Sequence, residues 1–445
     1  MFIRLFALIG VLAAGLLRPD GDIYITLLAA LSIACFDGAA VICARNVVVV
    51  YYFLVLGVGP YLIDLSDPIG VHRFAVLLFA TFLAGILARR ALRGAQQVDS
   101  DPPPASMAAP GVGRRASILL KTAIVIQFAL IGANIAQYGA VAFFSGASLA
   151  GNISSYVQDG GLTNYQILAI AGFTVTAALV GVYVQINEPE RLYDWRLLIV
   201  LLVGVPLVGL ERANVLKDVL VLLFVYRWAF HGKRKRIVSQ TVVISVLLVV
   251  ALAAGLGIGV LRSGLLSPDR AGSNQVQSVL LGELTPVAAI DDALAPGAPR
   301  YGGAGLFIPL VQRFAPRRLY PDKAQNTTMR YMLWKDPESY AAGFSLAITG
   351  VGAVVFNYGA FGAYLLALAI GFVVGGGRPP TSSRVGYSIV GFFMLYDLMR
   401  TDPVFSVSQA LVALLGYRIL LGVYRWHSSP SDSLRRPLVR SSRTS

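Results

Sequence analysis

Apolar runs long enough to cross a bilayer recur along this chain, and they constrain its fold more than any other feature. They fall at about 2–17, 23–43, 47–63, 71–88, 118–138, 165–186, 197–210, 213–230, 238–261, 350–374, 385–399 and 404–424. Most hold some 17 to 22 residues, enough for an α-helix to span a ~30 Å hydrocarbon core. Only 13% of the 445 residues are charged and mean hydropathy is +0.69, whereas a soluble domain is charged at about a quarter of its positions. The expected class is all-α and polytopic, with about twelve transmembrane helices.

The net charge of +14 raises the question of nucleic acid. No basic domain or nucleic-acid motif accompanies it, and lysine and arginine instead mark cytoplasmic loops. Arg89, Arg90, Arg93, Arg114, Arg115 and Lys121 flank the Pro-rich stretch DSDPPPASMAAP. HGKRKR carries four more, Arg378 and Arg384 lie in a third loop, and Arg435, Arg436, Arg440 and Arg443 in the tail. Twelve alternating helices put all four regions, and both termini, in the cytoplasm. The first seventeen residues resemble a signal peptide but lack a small-residue cleavage site, so they are kept as a first helix. Cys35 and Cys43 lie in an apolar segment and read as small buried hydrophobes.

The expected organisation is therefore helices 1–4 over 1–88, a cytoplasmic linker over 89–117 and helices 5–9 over 118–261. A large extracytoplasmic loop over 262–343, helices 10–12 over 344–424 and a basic tail over 425–445 complete it. The linker and tail have the composition of disordered connectors.

Two regions concentrate charge outside the membrane. In GLERANVLKDVL, Glu211 and Arg212 fall at the outer turn between the seventh and eighth helices, with Lys217 and Asp218 one to two turns inside the eighth. Ionisable groups at that depth face a protein interior or an aqueous cavity. They could form a cationic wall for an anionic ligand, or a salt-bridge cluster that snorkels to water.

The long loop carries Arg262, Arg270, Arg300, Arg313, Arg317, Arg318, Lys323 and Arg330, against the usual bias of outer loops. Guanidinium forks match phosphate oxygens bidentately, so a phosphate or pyrophosphate is the expected counterpart. Asp269, Glu283, Asp291, Asp292, Asp322, Asp336 and Glu338 share the loop. Glu283, in LLGELTP, has the most apolar surroundings, which suits a base near neutral pH; a capping or solvated carboxylate is the plainer alternative. Tyr301, Tyr320, Tyr331, Trp334 and Tyr340 offer ring faces to sugars or to an interface. Short helices are expected here, as in NQVQSVLLGELTPVAAIDDALA.

Three features together resemble the O-antigen and exopolysaccharide repeat-unit polymerases. They are the arginine at the outer turn in GLERANVLK, the single large outer loop containing RFAPRRLYPDK, and the stretch from Gly343 to Gly375. In the last, Phe356-Asn357-Tyr358-Gly359 and Gly362 match the family's aromatic-Asn-aromatic-Gly helix start. The acidic residue that many members carry just before it is missing from GVGAVVFNYG, so no role for it transfers.

The resemblance implies a GT-C-like membrane glycosyltransferase of the bacterial cytoplasmic membrane, working without a metal or other cofactor. Its donor would be a growing glycan on undecaprenyl diphosphate, its acceptor a repeat unit on the same lipid. A flippase and a chain-length regulator would be its partners beside membrane lipids. It implies Arg212 on the diphosphate, with Arg262, Arg270, Arg300, Arg317, Arg318, Lys217 and Asn357 lining the substrate, and Glu283 or Asp269 as base.

Two other classes stay open. A metal-dependent lipid-linked glycosyltransferase would use Asp20 and Asp22 of RPDGD, although Asp-Gly-Asp is also an ordinary turn. A transporter or lipid flippase would suit twelve helices, but the two halves show no similarity. The Gly-rich stretches GGAG and GLGIGV sit in no strand–helix unit and carry no dinucleotide reading. His72 lies at a helix start and reads as structural, and His231 falls in a cytoplasmic loop.

Overall fold

The structure, a computed structural model, describes residues 21–36, 43–93, 284–314, 324–341, 348–375 and 385–427, with scattered helical positions within 118–136 and 174–179. Every regular element among them is helical. They are α1 (Gly21–Cys35), α2 (Ala44–Tyr52), a π-helical turn (Phe53–Val58), α3 (Gly59–Leu62), α4 (Pro68–Arg93), α5 (Pro286–Leu294) and α6 (Gly303–Phe314). Then come α7 (Thr327–Lys335), α8 (Pro337–Ala341), α9 (Gly350–Val374), α10 (Val385–Arg400) and α11 (Pro403–His427). Among the described residues four stretches are long and apolar enough to cross a membrane: Ala44–Leu62, Pro68–Leu92, Gly350–Val374 and Pro403–Leu420. The chain is an all-α membrane protein; the spans expected at 23–43 and 385–399 coincide with the shorter helices α1 and α10, and the remaining expected spans lie wholly or mostly outside the described residues.

Local sequence sets the boundaries. α4, α5, α8 and α11 open on proline, whose fixed φ and missing N–H suit the first helical position. Asn326 caps α7 by accepting from Met329 N, and Thr349 caps α9 by accepting from Gly352 N, both at 3.0 Å. The π-helical turn shifts the register around the Gly57 carbonyl, and the buried His72 sits with Nε2 3.3 Å from it.

α9 packs most extensively on α4, through glycines that bring the backbones together. A Cβ on Gly85 would collide with the Leu368 carbonyl, and one on Gly371 with that of Phe82. Lipid is as apolar as leucine, so close packing of small residues, rather than escape from water, holds helices together at this depth. The core runs from Leu28 and Leu31 through Leu83 and Ile86 to Ile290, Val355 and Phe356.

Three connections meet at one end of the bundle, and all three are among those that alternating spans would put on a common side. Asp291 of α5 accepts from Ser66 and Asp67 in the turn before α4. Asp402, in the turn before α11, accepts from Thr328 of α7 at 3.1 Å. The described parts of this stretch, 284–314 and 324–341, are therefore a pinned helical roof.

Candidate functional site

The roof is built onto a broken helix. Gly359 interrupts α9 with φ 72° and ψ −176°, a conformation essentially confined to glycine. Val351 and Ala367, about 24 Å apart along a straight helix, line one small apolar cavity with Tyr52 and Phe79. The two halves of α9 thus bend sharply toward each other.

A broken helix leaves carbonyls without their usual partners, which is costly beside hydrocarbon. Residues 300–302 supply the replacements. Arg300 Nη1 lies 3.4 Å from the Val355 carbonyl and donates to Ala293 O at 2.8 Å. The N–H groups of Tyr301 and Gly302 donate to Phe356 O and Asn357 O, each at 3.2 Å. Gly302 makes this crossing with φ 57°.

Asn357, buried and 3% exposed, fastens the roof from below. Its Nδ2 donates to Ala353 O and to Thr327 Oγ1, both at 2.7 Å, and Thr327 Oγ1 donates onward to Gly305 O at 3.0 Å. Its Oδ1 has no hydrogen-bond partner among the described residues and faces Gly305, where a Cβ would collide with it.

Around Phe356 the roof gathers rings and charges. Tyr301 stacks on Phe356 with centroids 6.2 Å apart, Tyr331 tilts against it at 5.1 Å, and Trp334 stands edge-on at 6.2 Å. The Arg330 guanidinium lies over the Tyr301 ring at 5.5 Å, while its Nε donates to Gln325 O at 3.0 Å. Lys335 pairs with Asp292 at 2.7 Å, and Tyr331 Oη donates to the other Asp292 oxygen at 2.8 Å. Burial, reinforced by Asp292, pushes the Tyr331 hydroxyl well above its ordinary range, so it stays a donor. Burial likewise raises Tyr301, against the pull of Arg330.

Arg300, Arg330 and Lys335 thus all belong to the roof around Phe356: Arg300 at the Val355 carbonyl, Arg330 over Tyr301 and Lys335 on Asp292. Such a patch can hold an anion through charge-assisted bonds while its ring faces take up apolar surface.

Of the residues expected to act on or bind the substrate, Arg300 and Asn357 are described. Arg300 caps the broken helix with one nitrogen and is otherwise exposed; Asn357 is a buried strut. Arg212, Lys217, Arg262, Asp269, Arg270, Glu283, Arg317 and Arg318 lie outside the described residues, as do Asp20 and the side chain of Asp22. Arg330, Trp334, Tyr301 and Asp292 enter the sequence reading only as members of a long loop's inventory, and Lys335 does not enter it at all. The available signal was helical spacing in TTMRYMLWK, which sets Arg330 beside Trp334 and Tyr331 beside Lys335 as i, i+4 pairs. Among the described residues no three His, Cys, Asp or Glu side chains group as metal ligands would. Comparison with known proteins finds no family model that matches the chain, no similar curated protein and no similar solved structure.

Proposed function

We propose that this chain polymerises oligosaccharide repeat units carried on undecaprenyl diphosphate, at the outer face of a bacterial cytoplasmic membrane. The observation that carries the reading is the gathering around Phe356 of Tyr301 with Arg330 over its ring and of Trp334, which the Lys335–Asp292 pair follows directly in the chain, on a helix broken at Gly359. A lipid-linked glycan has the same composition: phosphates for cations, and sugar rings for aromatic faces. In this reading the fold is GT-C-like with about twelve spans, and both termini are cytoplasmic.

The reaction joins an acceptor hydroxyl oxygen to the anomeric carbon of the donor glycan. The bond from that carbon to the diphosphate oxygen breaks, and its electron pair leaves with the diphosphate. The acceptor proton passes to a base, Glu283 or Asp269. Fixed cations, with Arg212 foremost, stabilise the charge growing on the leaving group in a water-poor groove.

The test is a glycan profile of a strain lacking this chain, complemented with wild type or with Arg212→Ala. Long glycans should vanish in the deletion and in the variant while single repeat units remain. Unchanged chain lengths in the deletion would end the polymerase reading.

A further inference from the structure

Trp334 stands at the rim of the ring cluster with 46% of its surface exposed. It is held from behind, edge-on to the fully buried Phe356 and 6.2 Å from Tyr331 one turn earlier on α7. Its indole N–H makes no hydrogen bond among the described residues. The next residue, Lys335, holds Asp292 at 2.7 Å, yet that pair remains reachable, with the two side chains 49% and 17% exposed. Each Asp292 oxygen accepts one bond from the protein and keeps a further lone pair, while Lys335 keeps donors beyond the one it spends.

An aromatic face fixed in place, a free N–H and a neighbouring donor–acceptor pair are the complement of a pyranose. Its C–H face is apolar, and its rim carries hydroxyls that both donate and accept. We infer that Trp334 is the stacking platform for a pyranose ring of the glycan, with Asp292 and Lys335 binding that ring's hydroxyls. The ligand class rests on the proposed polymerase reading; the platform itself rests on the geometry. A tryptophan serving only as an interfacial anchor would be equally exposed. Its company argues otherwise, since an ion pair follows it and Arg330 precedes it by four residues.

The full-length protein in nanodiscs tests this, with Trp195, Trp228 and Trp426 changed to Phe so that Trp334 alone reports. The probe is the oligosaccharide pool released by mild acid from the lipid-linked fraction of the same cells. The pool should shield Trp334 from aqueous acrylamide, and bromine-labelled phosphatidylcholine should leave it unquenched. If the triple variant does not fold, calorimetric titration of the wild type with the same pool replaces it. There, Trp334→Ala should bind roughly tenfold more weakly, equal to about 1.4 kcal/mol, while Trp334→Phe stays within about threefold because a ring face remains.

Quenching by the brominated lipid, or indifference to the pool in both assays, would overturn the platform. The two ideas fail separately. Shielding of Trp334 alongside unchanged chain lengths in the deletion strain would keep the platform and remove the polymerase. Lost long chains with an unresponsive Trp334 would do the reverse.

Discussion

The Asp291 carboxylate accepts the backbone N–H of Ser66 at 2.7 Å, joining positions 225 apart in the chain. It also takes the Ser66 hydroxyl at 2.8 Å and the Asp67 N–H at 3.2 Å, so one buried side chain satisfies the donors that precede Pro68 and ties the roof to α4. Asp291→Ala would strand two backbone donors. The expected cost is about 2–4 kcal/mol, read as a lower denaturation midpoint of the full-length protein in detergent. Asp291→Asn keeps one acceptor oxygen and should lose roughly half as much. A midpoint unmoved by Asp291→Ala would mean that this link does not hold the roof.

Gly359 offers a cleaner test, because a Cβ there would meet no atom within 4 Å. Any cost of Gly359→Ala is therefore backbone strain from φ 72°, about 1–3 kcal/mol. Gly391, inside α10 and equally free of neighbours, has no such strain. Gly391→Ala should be neutral or stabilising by up to about 1 kcal/mol. Equal midpoints for the two variants would argue that α9 is not broken at this glycine.

These two positions also mark what the sequence could reveal. The four described spans were legible because a bilayer selects on length and apolarity, both of which are local. The prolines that open α4, α5 and α11 are an equally local signal, though the sequence reading did not use it. The break at Gly359 was not: FNYG drew notice as a motif, but nothing local separates a broken helix from a continuous one rich in glycine. The Asp291–Ser66 link joins distant segments and leaves no periodic trace. Arg300 illustrates the site. Its charge suggested a phosphate ligand, yet one of its nitrogens serves the Ala293 and Val355 carbonyls, a use that only the fold creates.

Arg300 and Arg330 should consequently separate on substitution. Arg300→Ala removes the side-chain donor from Ala293 and Val355 and should lower the midpoint by about 1–3 kcal/mol, whatever it does to activity. Arg330→Ala gives up a ring contact and one hydrogen bond, worth about 1–2 kcal/mol together, and should shift the glycan profile far more than the midpoint. Arg330→Lys keeps the charge and loses the planar fork, so an intermediate profile is expected. Wild-type chain lengths in Arg330→Ala would remove this residue from the proposed substrate contacts.

Asp402 sets a pH dependence whose sign can be worked out. Burial pushes its carboxyl up to about 6, against the downward pull of the Val404 and Thr328 N–H groups, the Thr328 hydroxyl and the Arg313 charge. The folded chain therefore holds this proton more tightly than the unfolded chain, where an aspartate titrates near 3.8. Protonation favours the fold, so the contribution grows as pH falls from 7 through about 6 and levels off near 4. Its full size is on the order of 3 kcal/mol. Asp402→Asn still presents an acceptor oxygen to the donors at the starts of α7 and α11 but does not titrate. The variant should match or exceed the wild-type midpoint at pH 7, and the difference should shrink or reverse as pH falls to 4.5. Other carboxylates titrate in the same window, and the comparison between the two proteins cancels them. Parallel midpoint-versus-pH curves would show that the Asp402 proton is not coupled to folding.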